Sequence, residues 1–385
     1  MAARECKIAA AINLVGRQQS WWAGDSTWTR TYSRFTPQLE TYATLVFETT
    51  EEPQQLCVVE VSVDRFRGPS ATVAHVHVEE IGWLWLMPYT GDPGLPTLSA
   101  VVQRCAATRV LRYRPYKRCT VRATSGADVQ IAKVFPDRRG EVMYRDGLAL
   151  WNARLRGELE CNVARPVCWD DPSNTLWQEV VPGEAVMSRL YRAGGVALAE
   201  KMGRACATIA RSSVEPSRVV DRNKQFERAR RHAALLTRTI PTSTEPVRKL
   251  MACLAALQNN RRHERLRPIH GAPRTQQWLY DGESLGPVDF DRFCYGEPEV
   301  DAATFVAEVE FQDPRRVPVK DLTGAFLEGY QSLAGSLDPM RSRGYRAGQY
   351  LSKAAKAART PAMKAPSKAT KLLQRALAVA EGLAR

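Results

Sequence analysis

The first quarter of the chain shows apolar and polar side chains in alternation. The alternation is clearest at 45–48, 58–63 and 72–78, and a repeat of two residues places successive side chains on opposite faces of a strand. These segments therefore predict a small half-exposed sheet. Residues 88–96 are dense in proline and glycine, which interrupts the alternation and predicts a domain boundary near residue 98.

A second group of short strands is predicted after that boundary, followed by a helix. The strands fall at 109–113, 119–123 and 129–135, the helix at 139–156, and two more strands at 159–163 and 177–181. Pro182 and Gly183 then end the last strand.

From Glu184 onward the apolar spacing changes to that of helices. Long helices are predicted at 184–211, 222–236 and 244–258, and two more at 341–357 and 366–383. In the last of these, Leu372, Leu373 and Leu377 form an apolar face that could dock on other helices. The patterns divide the chain into a β-rich domain at 1–98, a small lobe at 99–183, an α-rich lobe at 184–335 and a helical tail at 336–385.

Composition limits the class of protein. A chain of 385 residues with 44% hydrophobic and 25% charged residues is globular and long enough for two or three compact units. No apolar run reaches the roughly 18 to 20 residues of a membrane span, and the N-terminus lacks the features of a secretory signal. The nine cysteines contain no Cys-x-x-Cys pair, which predicts reduced thiols and a cytoplasmic protein.

The net charge of +14 is concentrated at one end. Residues 336–385 hold eleven Lys or Arg against two carboxylates, so this tail carries nine of the fourteen charges. Such a surface favours anionic partners, including nucleotides, acidic substrates, nucleic acid or lipid. A helical tail that packs on the protein and shows a solvated cationic face is the alternative.

The segment 270–301 carries the residue types that phosphoryl transfer requires. It reads HGAPRTQQ at 270–277, PVDFD at 287–291 and GEPEVD at 296–301. Phosphoryl transfer needs phosphates held in line, their charge neutralised by Lys and Mg²⁺, and an oriented acceptor hydroxyl. Asp289 supplies the carboxylate oxygen that a hard cation such as Mg²⁺ prefers.

These motifs resemble the catalytic and metal loops of the aminoglycoside phosphotransferase family, with the pattern His-Gly-Asp, four residues, Asn, then Asp-Phe-Asp. Ala272 stands where the family has its catalytic aspartate, and Gln277 stands in the Asn place. The resemblance covers roughly 105–335. It implies an α+β, bilobal protein-kinase-like fold with a β-rich small lobe and an α-rich large lobe, preceded here by the extra N-terminal β-rich domain.

The resemblance also implies roles for residues of the large lobe. His270 holds the catalytic loop, and Asp289 binds Mg²⁺ with the amide oxygen of Gln277 as a second ligand. Asp291 is a possible substitute for the missing aspartate, and Asp301 braces the loop.

The resemblance also assigns nucleotide-binding roles to residues of the small lobe. Lys133 pairs the phosphates of ATP, unless it points to solvent as strand lysines often do, and Glu141, with Asp146 as second choice, orients it. Glu179 and Val181 lie on the hinge that offers backbone groups to adenine. The loop over the phosphates has no glycine, so Arg114, Lys117 or Arg118 would contact anions through side chains.

Three functions remain open from the sequence. The first is ATP- and Mg²⁺-dependent phosphorylation of a hydroxyl on a small molecule, sugar or peptide. The second is a pseudokinase that binds a nucleotide or a protein partner, and the third is nucleic-acid binding through the basic tail.

Two further clusters have competing explanations. His75 and His77 share one face of a strand and could bind a metal, although no third ligand is near in sequence. Between residues 17 and 35, aromatic and arginine side chains interleave. They could stack bases or sugars, but core packing of a small β domain is favoured.

Overall fold

The computed structural model describes residues 2–22, 24–35, 41–62, 73–126, 128–258, 265–312, 317–360 and 365–381. The chain forms two compact units. The first contains Met1–Glu141, Val167–Gln178 and Arg359–Ala365, and the second contains the remainder. The predicted boundary near residue 98 falls inside the first unit, and the four-part division of the chain stays a prediction.

The first unit begins with a helix and an antiparallel sheet in the order β1-β2-β3-β5-β4. These elements are α1 (Ala2–Gln18), β1 (Trp28–Phe35), β2 (Thr41–Thr49), β3 (Leu56–Ser62), β4 (Ala74–Val78) and β5 (Gly82–Pro88).

Helix α1 was not predicted from the sequence, and it covers one face of this sheet. Ile8, Ile12 and Val15 of α1 are buried in the same core as Trp22 and Trp28. Trp28 also donates a 2.7 Å hydrogen bond from its indole nitrogen to the Asn13 side chain. Both tryptophans are thus used in packing, which favours the core explanation of the aromatic segment over base stacking.

A second sheet in the first unit has the order β6-β7-β8-β10-β9. Its core is continuous with the first sheet, because Val46 and Val58 of β2 and β3 pack in one cluster with Val121 and Val134 of the second sheet. The elements of this region are α2 (Leu98–Gln103), β6 (Ala107–Arg114), β7 (Arg118–Ser125), β8 (Asp128–Val134), β9 (Pro166–Asp170) and β10 (Thr175–Glu179). Helix α3 (Arg139–Leu155) follows β8, and most of it belongs to the second unit.

Two predicted elements of the following region are wrong. Residues 159–163 form no strand. Leu159, Cys161 and Val163 are buried in the main core of the second unit. Every second residue of this irregular segment is therefore apolar, which is the same alternation that a strand shows. The predicted helix at 184–211 is interrupted: residues 184–185 form a short strand, one helical segment ends at Leu190, and the next begins after Gly194, whose φ is 86°.

The second unit is mainly helical, with two small sheets in the orders β11-β13-β14 and β12-β15. Helices α5 (Gly195–Arg211) and α9 (Val319–Ala334) approach closely where Gly203 has no side chain, since a Cβ there would lie 2.0 Å from the Phe326 carbonyl oxygen. The elements are β11 (Glu184–Ala185), α4 (Met187–Leu190), α5 (Gly195–Arg211), α6 (Arg222–Thr239), α7 (Thr244–Gln258), β12 (Arg267–Ile269), β13 (Trp278–Tyr280), β14 (Leu285–Pro287), β15 (Cys294–Gly296), α8 (Glu299–Gln312), α9 (Val319–Ala334), α10 (Pro339–Ala358) and α11 (Ala365–Glu381).

The tail helices α10 and α11 are part of the core of the second unit. Leu351, Leu372 and Leu373 are buried in one cluster with Leu236 of α6 and Leu250 of α7. Residues 63, 72 and 382–383 of the predicted elements lie outside the described residues. Within the described ranges, none of the helices has the length and apolar character of a membrane span.

Candidate active site

The catalytic loop starts where β12 ends, beside the antiparallel strand β15. Asp301, in the first turn of α8, accepts hydrogen bonds from the backbone N–H groups of His270 at 2.9 Å and Gly271 at 2.8 Å. Gly271 has a φ of 78°, and a Cβ there would lie 2.3 Å from the Arg292 carbonyl oxygen. The loop therefore requires glycine at 271, and Asp301 braces it.

His270 holds the interior of this loop. Its side chain is fully buried, and Nε2 lies 3.2 Å from the carbonyl oxygen of Val288, to which it donates in the tautomer protonated at Nε2. The ring also contacts that of Phe290, with 4.6 Å between centroids. These contacts connect the catalytic loop to the metal loop.

Asp289 and Gln277, the two predicted metal ligands, lie side by side. Asp289 has a left-handed backbone, with φ 67° and ψ 50°, at the start of the 3-10 turn Phe290–Arg292. The Gln277 amide nitrogen donates to Asp289 Oδ2 at 2.8 Å, while the Gln277 amide oxygen accepts from the Arg274 N–H at 3.1 Å. The amide oxygen of Gln277, which was predicted as the second metal ligand, therefore faces the backbone of Arg274 and not Asp289.

This donor set fits a hard divalent cation. Among the residues that the structure describes, no group of three or more His, Cys, Asp or Glu could hold a metal. Mg²⁺ does not need such a cage, because it usually keeps several waters and binds one or two carboxylates together with substrate phosphates. A single carboxylate with an adjacent amide is therefore compatible with a metal that arrives with a nucleotide.

Ala272 and Asp291 are the two residues on which the predicted proton acceptance depends. Ala272 is 5% exposed, and its carbonyl oxygen accepts a 2.8 Å hydrogen bond from the Arg274 N–H. Asp291 lies on the 3-10 turn after Asp289, where its carbonyl oxygen accepts from Arg218 Nη2 at 2.7 Å. Residue 272 thus offers no side-chain acceptor, and Asp291 is held at its backbone.

Lys133 lies on β8, the third strand of the second sheet. Its side chain is 8% exposed, so it does not point to solvent. Lysine is rarely buried to this extent unless it has a partner. The position is compatible with the predicted phosphate role, which stays a prediction.

The two carboxylates proposed to orient Lys133 have other partners. Glu141 pairs with Arg138 at 3.1 Å and is 36% exposed. Asp146 is buried and accepts from the backbone N–H and the hydroxyl of Ser217, at 2.9 and 2.7 Å. Asp146 therefore holds the loop at Ser217. To orient Lys133, Glu141 would have to leave Arg138.

The turn between β6 and β7 contains no glycine and is held by hydrogen bonds to Asp92. Tyr116 has a φ of 62°. Asp92, 1% exposed, accepts from the Tyr116 N–H at 2.8 Å and from the Tyr113 hydroxyl at 2.7 Å. Two hydrogen bonds to one buried carboxylate thus hold the turn in a conformation that glycine would otherwise supply.

Cations surround this turn. The pKa of Lys117 is lowered, first by burial and then by the charges of Arg34, Arg114, Arg359 and Arg139. Repulsion of this kind shows a positive field that an anion would relieve. Arg114 and Lys117 therefore lie where side chains could contact phosphate.

The hinge residues differ in their surroundings. Glu179 ends β10, and its N–H donates to the Arg165 carbonyl oxygen at 2.8 Å. Val181 is 4% exposed and packs so closely that a Cβ on Gly286 would lie 2.3 Å from it. The assignment of both residues to adenine stays a prediction.

The braced catalytic loop, the adjoining metal loop and the β-then-α order of elements define a kinase-like phosphotransferase fold. A model of the phosphotransferase enzyme family, APH, matches residues 131–378. The chain therefore belongs to this family. The match includes α10 and most of α11, so the basic tail is part of the family domain.

Solved structures confirm the predicted fold class. Choline kinase LicA from Streptococcus pneumoniae is 13% identical, with a TM-score of 0.53 over 74% of this chain and 98% of that one. Spectinomycin phosphotransferase APH(9)-Ia is 12% identical, with a TM-score of 0.53 over 75% and 98%. Amicoumacin kinase hAmiN is 16% identical, with a TM-score of 0.54 over 73% and 93%. No curated protein matches the sequence significantly.

Asp301 yields a prediction about stability. Burial raises its pKa from 3.8 to about 7, although the two backbone N–H groups lower it. A raised carboxyl pKa contributes stability that is complete below pH 3.8 and is lost as the pH rises through about 7. Asp301→Asn places an NH₂ group against one N–H donor, so we expect a loss of about 1–3 kcal/mol at pH 5.5 that shrinks at pH 8.5.

Chemical denaturation at both pH values tests this expectation. Asp321→Asn is the matched control, because Asp321 is an exposed carboxylate in the first turn of α9, and we expect it to be near neutral. A deficit for Asp301→Asn that grows with pH would mean that the ionised form of Asp301 is the stabilising one.

Proposed function

We propose that this chain is a phosphotransferase that moves the γ-phosphoryl group of ATP, with Mg²⁺, to a hydroxyl of a small molecule or sugar. The observation that supports this most is the contact between Gln277 and Asp289 at 2.8 Å, on loops that Asp301 and His270 hold together. Such a pre-arranged carboxylate on a braced loop is what positioning of a metal-bound nucleotide requires.

Each residue has a defined task in this proposal. Bound Mg²⁺ would neutralise charge on the phosphates, and Asp289 would hold it while Gln277 positions the Asp289 carboxylate. Lys133, Arg114 and Lys117 would bind phosphate oxygens. Asp291 would accept the proton of the acceptor hydroxyl, since Ala272 cannot.

The relatives agree with a nucleotide and a metal. The amicoumacin kinase structure contains AMP-PNP and Ca²⁺, and the spectinomycin phosphotransferase structure contains ADP and spectinomycin. We extend the nucleotide and divalent metal to this chain as part of the proposal, together with a cytoplasmic location.

A pseudokinase is the second candidate, and two observations favour it. Ala272 is apolar and buried, and the side chain of Gln277 presents its hydrogen, not its oxygen, to Asp289. A protein that keeps the fold but regulates a partner needs neither a catalytic acceptor nor a metal ligand there.

Nucleotide binding and hydrolysis by the purified chain separate the two candidates. A phosphotransferase should be stabilised by ATP in the presence of Mg²⁺, more weakly without it, and should hydrolyse ATP slowly when no acceptor is present. Binding without any turnover, even with hydroxyl-bearing acceptors, would favour the pseudokinase.

A further inference from the structure

The first sheet of the first unit contacts β6 and the turn between β6 and β7. The Gln54 side chain accepts a hydrogen bond from the Val110 N–H at 2.7 Å and donates to the Val110 carbonyl oxygen at 3.3 Å. Glu60 of β3 accepts from the Tyr116 hydroxyl at 2.8 Å. After β5, Gly94 lies so close that a Cβ there would be 2.6 Å from the Tyr116 Cα. The N-terminal part of the chain therefore holds the turn that the proposed function assigns to phosphate.

The strand register places Arg34 in the same row of the sheet as Glu60. Arg34 of β1 pairs with Thr44 of β2, and Thr44 pairs with Glu60 of β3. Directly opposed residues of neighbouring strands lie on one face of a sheet, so the backbones of Arg34 and Glu60 are about 10 Å apart on a shared face. This is the face whose Val46 and Val58 pack in one core with the second sheet.

Arg34 also lies close to Lys117 of the turn. After burial, Arg34 is the charge that lowers the pKa of Lys117 most. Arg34 likewise lowers the pKa of Arg359, again after burial. Repulsion between like charges falls off with distance, so the electrostatics agree with the position that the strand register gives to Arg34.

Packing between the two sheets explains only part of this arrangement. Val46 and Val58 supply the apolar contact, and Glu60 with Tyr116 supplies a polar one. The Arg34 side chain is half-buried, and its Nε is buried without a hydrogen-bond partner among the described residues. A neutral side chain would serve packing better, because a cation beside other cations costs free energy.

We propose that the first sheet completes the nucleotide site, with Arg34 binding phosphate oxygens of the nucleotide beside Lys117, and with Glu60 positioning the turn through Tyr116. The inference rests on the proposed function, which assigns Lys117 to phosphate. The planar guanidinium of Arg34 can donate two hydrogen bonds to one phosphate group. The charge of the phosphates would also offset the repulsion between Arg34 and Lys117. The N-terminal region is then part of the site, although the family match begins at residue 131.

Calorimetric titration of Mg²⁺-ATP and of inorganic tripolyphosphate into the full-length chain tests the inference. We expect saturable binding of both, with Arg34→Gln weakening each about 10-fold. Arg34→Lys keeps the charge and should retain most of the affinity. Arg30→Gln is the matched control, because Arg30 lies on the same strand but pairs with Glu5 of α1 at 3.2 Å, so binding should be unchanged.

Tyr116→Phe tests the positioning role of Glu60. The variant keeps the ring and removes one hydrogen bond, so we expect the KM for ATP to rise about 2- to 10-fold with a smaller effect on kcat. A merely structural role would lower the unfolding temperature and leave the KM for ATP unchanged. Lys117→Gln changes an exposed side chain and should reproduce the loss of affinity if Arg34→Gln fails to fold.

The outcomes separate this inference from the proposed function. Equal binding by the wild type and Arg34→Gln, or no binding of tripolyphosphate by the wild type, would overturn the inference. Tripolyphosphate binding that depends on Arg34, without any phosphoryl transfer from ATP, would support the phosphate site and refute the proposed function. ATP should bind more tightly than tripolyphosphate, and the reverse order would indicate an inorganic polyphosphate site and contradict the assignment to a nucleotide.

Discussion

Asp289→Asn is expected to remove the metal-dependent part of nucleotide binding. Asparagine tolerates the left-handed backbone of residue 289, so the loop should keep its shape while the carboxylate charge is lost. Loss of a metal ligand should reduce turnover by on the order of 100-fold or more, since even outer-shell partners of metals contribute about 10- to 100-fold. Calorimetry with ATP, with and without Mg²⁺, measures the effect.

Asp281→Asn is the control for this experiment. Asp281 is an exposed carboxylate on the turn between β13 and β14, where it accepts from the backbone N–H groups of Glu283 and Ser284. Asparagine can keep part of this turn, so nucleotide binding should be unaffected. If Asp289→Asn bound Mg²⁺-ATP as tightly as the wild type, the assignment of Asp289 to the metal would be refuted.

If no other group replaces the missing aspartate, Ala272→Asp is expected to raise phosphoryl transfer or ATP hydrolysis by a factor of roughly 10²–10⁴, the usual contribution of a positioned general base. The reason is that the surrounding loop already has its bracing and its metal residue, and residue 272 alone lacks a proton acceptor. Steady-state turnover of the purified variant provides the measurement.

A substitute orienting group would give the opposite pattern. If Asp291 already accepts the proton, Ala272→Asp should change little or reduce the rate, and Asp291→Asn should abolish turnover while nucleotide binding remains. Gln276→Asp is the matched control, because residue 276 is an exposed position of the same loop. Absence of turnover in the parent and in both variants would leave the pseudokinase as the better account.

The bracing of His270 and Gly271 by Asp301 was predictable because the residues involved lie close together in the sequence. The sequence His270-Gly271 demands a positive φ and a brace, and the residues that meet this demand lie within a short stretch that ends at Asp301. The helices of the second unit were largely predictable for a similar reason, since each buries one stripe of its surface. Both depend on spacing that is visible in the sequence.

Other features depend on contacts between distant positions, which spacing does not reveal. Asp92 anchors Tyr116 from 24 residues away, and its turn-rich surroundings showed only that a loop was present. Arg222 and Arg341 lie on separate helices, α6 and α10, and meet at Glu297 at 3.0 and 2.9 Å, whereas arginines on a helix usually indicate a solvated face. Leu159 to Val163 alternate in burial without strand pairing, so the pattern alone predicted the wrong element.

The shared core of the first unit has a practical consequence for handling this protein. The family match begins at residue 131, in the middle of β8. However, β8 pairs with β7, and β7 follows the turn that Asp92 holds. A fragment that begins at residue 131 would lose β6, β7 and the first three residues of β8 from a five-stranded sheet and would uncover Val134. We therefore expect the smallest fragment that folds on its own to be longer than residues 131–378. Assays should start from the whole 385-residue chain.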